Sequence, residues 1–506
     1  MLIFNKKRVF YRSSLGLLMI FMLQHTNVAQ ATSAVKHLLV SATGTNDFQS
    51  DTSWKRQSPA AISNQTPLPF FVVLDAVLTN HPVLKQSQNY QPIAEAELSI
   101  AKGAFDPMIS YYRNNKNEGS KLYQNQNLDV YIPNYFGGGI SINNPYSVNS
   151  GTASGSLGLE IDFPLLKGLI TDYRRTYLAK SKINVKMSIA QRDQWVNDLV
   201  QDVFLQYSQW LFAHETAVQI EQVLKIAEER QNGLRKLFTS GAGTAVDTME
   251  THVQLQQYRA KFDAALWKKE KQRLMISMFL WDENGKPIEP LNTAMPTQDG
   301  LMWIDSLVME ATKFFDTSGA TANGDGIIQP AVRLSLLKLE SQQLEFRLAK
   351  NLMLPSLNLK YGYSQPNADW RFTPSGATQF TGFGLGFQSG LFLRQQRGQY
   401  RQMQLTVKNA SLEVNNKMRS YQVKSNALFQ EYSVNKDQWL QWKQIGENQL
   451  LLYRMEAKRL EAGDVNFFIL NTREMRLLDL NLTALEYKYQ YQASGVAYLH
   501  YLGWLR

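Results

Sequence analysis

The stretch Asp172 to Phe238, DYRRTYLAKSKINVKMSIAQRDQWVNDLVQDVFLQYSQWLFAHETAVQIEQVLKIAEERQNGLRKLF, holds no proline and a single glycine, Gly233. The two strongest helix breakers are thus nearly missing from a run that would extend about 100 Å at 1.5 Å per residue. A second run, Gln399 to Leu460, is also free of proline and holds only Gly446. Leu199, Val203, Gln206 and Trp210 recur at steps of three and four, and Leu224, Ala227, Leu234 and Leu237 keep the same stripe at steps of three and seven. Each run is followed by a glycine-bearing turn and a returning helix, 245–281 and 465–502. The last is striped by Phe467, Leu470, Leu477, Leu480 and Leu485. Patterned helices this long without internal caps read as coiled coil rather than as a globular core.

Working outward, the chain repeats itself. At an offset of 248 residues, Pro82 pairs with Pro330, Glu97 with Glu345, Ala101-Lys102 with Ala349-Lys350 and Pro107 with Pro355. Further along, Tyr173-Arg174 matches Tyr400-Arg401. The expected division is a first repeat at 70–281, a linker with a short helix at 282–327, and a second repeat at 328–506. Each repeat opens with a helix, 70–104 and 328–352, stacked end to end on the shorter return helix.

Between the helices lie alternating stretches. In 154–163, Leu157, Leu159, Ile161 and Phe163 share one face, and Ser156, Gly158, Glu160 and Asp162 the other. In 356–364, Leu357, Leu359, Tyr361 and Tyr363 oppose Asn358, Lys360, Gly362 and Ser364. Phe383, Leu385 and Phe387 alternate with glycines in 381–388, and 107–113 is a weaker fourth copy through Ile109 and Tyr111. Period two gives each strand one apolar and one polar face. That pattern alone fits a soluble sandwich and a membrane barrel equally. Tyr and Phe near the strand ends and the long polar segments 117–152 and 365–380, read as loops, favour the barrel.

The N-terminus points to export. Lys6, Lys7, Arg8 and Arg12 precede the apolar run Leu15 to Leu23, and Ala29-Gln30-Ala31 follows as a cleavage site. This is a secretory signal peptide at 1–31, followed by a flexible lead-in at 32–69. Cleavage removes four basic residues and takes the net charge from +10 to +6. No basic face with interleaved aromatics is evident, so nucleic acid is not an expected partner. With no cysteine, the chain has no disulfide framework, Cys zinc site or lipidated N-terminal cysteine. A mean hydropathy of −0.32 disfavours a multi-span helical membrane protein. The exported route into a membrane that remains is a β-barrel.

The sequence resembles the TolC-like outer-membrane efflux protein family. The resemblance rests on Leu74-x-x-Val77-Leu78-x-Asn80-x-Pro82 and on the turn Phe238-Thr239-Ser240-Gly241 leading to Asp247. It rests also on the closing Tyr498-Leu499-x-x-Leu502-Gly503 and on the tandem order of elements. It implies a mainly α chain with four strands per protomer. A homotrimer would then build one twelve-stranded barrel in outer-membrane lipid, continuous with a long coiled-coil α-barrel in the periplasm of a Gram-negative bacterium. The implied role is the exit duct of a tripartite efflux or type I secretion system. Such a duct meets a periplasmic adaptor directly and an inner-membrane transporter indirectly.

The candidate sites follow. The helix turns at Ser240, Gly241, Ala242, Gly243 and at Ala462, Gly463, Asp464 would form the adaptor-docking tip, although any helix hairpin needs such residues. Asp247 matches a family position in the network that closes the tip, or is simply a first-turn carboxylate favoured by the helix dipole. Where some members present aspartates to the pore, this chain has Ile469 and Thr472, so a hydrophobic constriction of Phe467, Phe468 and Ile469 is the expected gate. Glu160, Asp162, Asn358 and Lys360 would face the barrel lumen. No enzyme is expected. The histidines at 25, 37, 81, 214, 252 and 500 are scattered, and no nucleophile elbow, phosphate loop, metal or cofactor motif occurs. A periplasmic coiled-coil adaptor or scaffold without a barrel is the competing reading, though an adaptor normally carries one hairpin rather than two.

Overall fold

A computed structural model describes residues 67–118, 121–149, 152–241, 243–298, 303–317, 329–366, 380–462, 464 and 467–505. The signal peptide at 1–31, most of the lead-in, Ala242 and Gly463 lie outside the described residues. The elements run α1 (Phe70–Asn80), α2 (Pro82–Gly103), β1 (Met108–Glu118), β2 (Lys121–Pro133), β3 (Gly139–Asn149), β4 (Thr152–Pro164), α3 (Tyr173–Thr239) and α4 (Ala245–Ser277). Then follow α5 (Ile304–Thr317), α6 (Pro330–Asn351), β5 (Ser356–Pro366), β6 (Phe380–Gln388), α7 (Arg394–Glu461) and α8 (Phe467–Leu502).

The long helix α3 begins where Asp172 accepts a hydrogen bond from the Arg175 N–H at 2.8 Å, capping orphan donors of the first turn. Its buried positions include Val203, Tyr207, Trp210, Ala213, Ala217, Ile220, Leu224, Ala227, Gln231 and Leu234. Those steps of three and four approximate a 3.5-residue period, the seam of a left-handed coiled coil. On α4 the facing positions are Thr251, Leu255, Tyr258, Phe262 and Ala265, and α8 inserts Leu478 and Leu482 against the same cluster. Each aliphatic side chain fully withdrawn from water here contributes about 1.5–3 kcal/mol. Leu237, placed on the stripe by its spacing, is instead 46% exposed, because the seam ends with the helix pair.

The single opening helix expected over 70–104 is two helices. Pro82 lacks an N–H and forces the preceding residue out of the helical region, so His81 sits at φ −61°, ψ 130° and ends α1. Pro82 then starts α2 just as Pro330 starts α6, and each of these helices is 22 residues long. The end of α4 meets the start of α2: Phe279 stacks on His81 with centroids 6.1 Å apart, and Trp281 meets the same ring edge-on. Helices α2 and α4 both pack on α3, α6 and α8 pack on both α3 and α7. The wall therefore has four ranks in the order α2/α4, α3, α6/α8, α7.

The sheet also departs from expectation. It has six strands, not four, antiparallel throughout in the order β1-β2-β3-β4-β5-β6. The segment 117–152, read as a loop, contributes β2 and β3. Its alternation was hidden because Asn and Gln occupy much of both strands, and these residues carry low strand propensity. The turn between them is held by the Asn134 side chain, which accepts from the Phe136 and Gly138 N–H groups at 2.9 and 3.2 Å. Gly137 takes φ +96° there. This turn packs at the foot of the helices, where Phe105 stacks on Tyr135 at 4.4 Å.

Midway along the helices a side element is locked in place. Tyr207 donates to the Leu68 carbonyl at 2.9 Å and accepts from the Thr297 N–H at 2.8 Å. The Phe70 ring packs on Phe204 and Tyr207 at 5.4 and 5.3 Å. Helix α5 is fixed through Asp305, which accepts from Tyr432 at 2.6 Å, pairs with Lys436 at 2.8 Å, and also accepts from Tyr491. Gly495 leaves the space that α5 needs, since a Cβ there would lie 2.8 Å from Ile304. Replacing Asp305 by Ala strands two buried tyrosine hydroxyls, at about 1–3 kcal/mol each. The expected outcome is lower heat stability and faster trypsin cleavage within α5, with a similar release in Gly495→Val.

Candidate functional site: the two-faced sheet and the helix tips

Register alignment across the six strands sorts every residue to one of two faces. Ile109 lies opposite Val130, Val130 opposite Ile142, Ile142 opposite Leu159, Leu159 opposite Tyr363 and Tyr363 opposite Thr381. The next row runs Ile132, Ile140, Ile161, Tyr361 and Phe383. An apolar band therefore crosses all six strands, including the two that the sequence did not reveal. Ile109, Tyr111, Ile161, Phe383, Leu385 and Phe387 are exposed in the chain. The opposite face is mostly polar: Ser110, Asp129, Asn143, Gly158 and Ser364 form one row, Tyr131, Ser141, Glu160, Gly362 and Gly382 the next, and the β6 glycines 382, 384 and 386 lie at its far side.

All four expected lumen residues lie on that polar face. Lys360 Nζ donates to Glu160 Oε1 at 2.5 Å across β4 and β5, and Asp162 lies directly opposite Lys360 in register. Asn358 lies opposite Pro164 at the foot of the same pair. Sequence reading missed Asp129, Asn127 and Asn143, which join them. Their signal was the alternation Leu128, Val130, Ile132 against Asn127, Asp129, Tyr131. Gly158 faces Asn143 so closely that a Cβ would meet its Oδ1 at 2.1 Å, so the added strands are fitted into the sheet rather than laid over it.

The other candidates lie at the far ends of the long helices. At the first turn, Gly241 takes φ +78° and donates to the Phe238 carbonyl at 3.0 Å. Gly243 donates to Leu237 at 3.0 Å, and a Cβ on it would come 2.9 Å from the Phe238 nitrogen. Both glycines are thus required by the turn itself. Ser240 is exposed at the helix end, its hydroxyl bonded back to Leu237. At the second turn Ala462 and Asp464 are exposed and bond back to Lys458 and Arg459. Thr244 caps α4: its Oγ1 accepts from the Asp247 N–H at 3.1 Å and donates to Asp247 Oδ2 at 2.6 Å. Asp247 therefore bonds within its own helix turn, and among the described residues no bond from it to another helix is seen. Phe468 is 59% exposed and Ile469 38% exposed on the first turn of α8. Thr472 Oγ1 is bonded back to the Phe468 carbonyl, and the Phe467 side chain lies outside the described positions.

What ties the helices together near this end is a group the sequence did not single out. Arg230 on α3 donates to Asn471 Oδ1 at 2.8 Å and pairs with Glu474, both on α8. Gln231 accepts from Thr251 of α4 at 2.6 Å. Burial pushes the Glu474 carboxyl above the usual carboxylate range, with Arg230 opposing the shift. Burial likewise raises the Tyr258 and Tyr453 hydroxyls, which face the same charges from α4 and α7. These residues are scattered through four helices, so no local spacing marks them.

Among the described residues no helix is long and apolar enough to cross a membrane, and no cluster of metal-ligating side chains is found. His81, His214, His252 and His500 lie apart on or beside helices. His81 and His214 are held below the ordinary imidazole value by burial.

Replacing Arg230 by Ala would leave Glu474 buried without its partner, at a cost of about 3–5 kcal/mol. Because Glu474 is raised in the fold, its contribution is fully present below the ordinary carboxylate pKa and is lost as pH rises through the raised value. Glu474→Gln should abolish that pH dependence while holding the helix joint. Heat dissociation in detergent between about pH 4 and 8 reads both effects.

No family model matches this chain, and no curated protein matches its sequence. Solved structures do match its fold. The Campylobacter jejuni CmeC outer membrane channel is 15% identical, with 91% of this chain and 94% of that chain covered at a TM-score of 0.57. The outer membrane protein VceC of Vibrio cholerae is 11% identical, covering 86% and 96% at 0.59. The open-state MtrE outer membrane channel of Neisseria gonorrhoeae is 14% identical, covering 86% and 88% at 0.57. At such low identity what is shared is the path of the backbone: the chain has the fold of the TolC-like outer-membrane channels.

Proposed function

We propose that this protein is an outer-membrane channel, the passive exit duct of a tripartite efflux or type I secretion system in a Gram-negative bacterium. The observation that carries this reading is the sheet with an apolar band across one face and a mostly polar opposite face, set on helices of 67 and 68 residues. An apolar face of this kind suits lipid, and a polar one suits a water-filled lumen. Strands of 9 to 13 residues are long enough to cross the hydrocarbon layer when tilted. An open sheet cannot lie in lipid with unpaired edges, so the reading requires several copies, as a homotrimer. The helical wall asks for the same thing. Leu266, Trp267 and Leu274 on α4, and Leu405, Leu412 and Val434 on α7, are exposed on its two outer ranks.

In this reading Glu160, Asp162, Asn358 and Lys360 line the lumen and give a weak ion preference. The turns at Ser240, Gly241, Ala242, Gly243 and Ala462, Gly463, Asp464 receive the hairpin of a periplasmic adaptor, which connects the duct to an inner-membrane transporter. A shallow apolar concavity beside the first turn, lined by Val246, Met249 and Val253, supports docking there. The gate is a hydrophobic constriction at Phe467, Phe468 and Ile469, with Asp247 and Thr472 beside it.

Detergent-extracted outer membranes should hold the chain as a heat-modifiable trimer. Recovery wholly in the soluble periplasm would refute the channel. A photoreactive residue at Ser240 or Ala462 should capture one periplasmic adaptor, and capture of nothing there would remove the docking site. Phe468→Ser should raise single-channel conductance in planar bilayers, whereas unchanged conductance across Phe467, Phe468 and Ile469 substitutions would place the constriction elsewhere.

A further inference from the structure

We infer that the hairpin β2–β3 is part of the membrane barrel, and that three copies of this chain close eighteen strands rather than twelve. The inference rests on the channel reading above and deepens it by giving the interaction surface and the width of the lumen.

Three observations converge. First, in its helix-proximal part the hairpin carries the same two faces as its neighbours: Ile132 and Ile140, then Val130 and Ile142, pair on the apolar side, and Asp129 and Asn143 on the polar side. A surface loop has no reason to hold that register. Second, each rank of the helical wall adjoins a strand: β1 follows α2, β4 precedes α3, β5 follows α6 and β6 precedes α7. The hairpin is the addition, set between β1 and β4, and its connecting turn returns at the helix foot. Short turns on the periplasmic side are the habit of such barrels. Third, the arcs agree. At a spacing of about 4.8 Å and a tilt of about 40°, each strand occupies about 6.3 Å of circumference. Six strands then span about 38 Å, against about 25 Å for four. Four helix ranks 8–10 Å apart span about 32–40 Å, so the wall beneath has room for the six-stranded arc.

The joining surface is the pair of sheet edges. Strand β1 leaves the helices and β6 returns to them, so the two edges run antiparallel. The β6 edge of one copy can therefore pair with the β1 edge of the next in a head-to-tail contact that closes as a ring. Eighteen strands give a radius of about 18 Å, and twelve give about 12 Å.

The chain has no cysteine, so single-cysteine variants of the full-length protein report cleanly. In the purified trimer, Asp129→Cys and Asn143→Cys should react with a charged, membrane-impermeant thiosulfonate at least tenfold faster than Val130→Cys and Ile142→Cys. A fluorophore at the latter two should be quenched by brominated lipid. Nitroxides at Asp129→Cys should be separated between copies by about 31 Å, 1.5-fold the roughly 21 Å expected of twelve strands. Any variant that fails to trimerise is replaced by its face-mate, Asn127→Cys or Leu128→Cys. Equal reaction rates on both faces, the shorter distance, or a two-chain assembly would overturn the inference while leaving an outer-membrane channel intact. Failure of the unsubstituted chain to enter the outer membrane would overturn both.

Discussion

The outward-facing edges of β1 and β6 meet no further strand among the described residues, yet the faces between those edges are patterned for two different solvents. In hydrocarbon an unpaired peptide group costs several kcal/mol, so the proposed location cannot be occupied by one copy. Much of the rest follows from that constraint. The ends of the sheet must run in opposite directions, and an even number of strands ensures that they do. Every strand must carry both faces, and all six do. The helical wall must be open at the same two sides as the sheet, and its outer ranks carry exposed apolar side chains.

Beneath the sheet, stability is distributed differently. The α3–α4–α8 seam is built from many small side chains at coiled-coil spacing, including Ala217, Ala227 and Ala265 beside Ile220, Leu224 and Leu255. Small residues let the helices approach closely, so dispersion contacts accumulate along the length. A long uniform seam permits register slips. Buried polar pairs such as Arg230–Glu474 and Gln231–Thr251 are satisfied only in one alignment, and a polar residue at a seam position is a known device for fixing register. The side element at Asp305 and Tyr207 does the same at mid-length.

The helices were legible because their signal is long. A 67-residue run without proline outweighs local noise, and the tandem order of elements constrained what lay between. Three details escaped for physical reasons. His81 looked helical until the geometry that Pro82 imposes was taken into account. Leu237 kept the stripe's spacing after the partner helix had ended. The β2–β3 hairpin reads as loop in the sequence because Asn, Gln and Ser occupy positions on its polar face, and some on its opposite face as well. In a soluble protein those residues mark turns; on a wall that faces water they are ordinary strand residues. Of the candidate site, the turn glycines and the Glu160–Lys360 face were visible as patterns. Arg230 with Asn471 and Glu474 was not, because their separation along the chain exceeds 240 residues.

Sequence alone determined that this chain is two rounds of helix, strands, long helix and return helix, since periodicity and proline placement are local properties that neighbouring residues carry themselves. Only the tertiary structure decided how many strands stand side by side and which helices tie to which. Those outcomes depend on which distant groups meet, and a buried ion pair or a strand edge acquires its meaning only when its partner is in place.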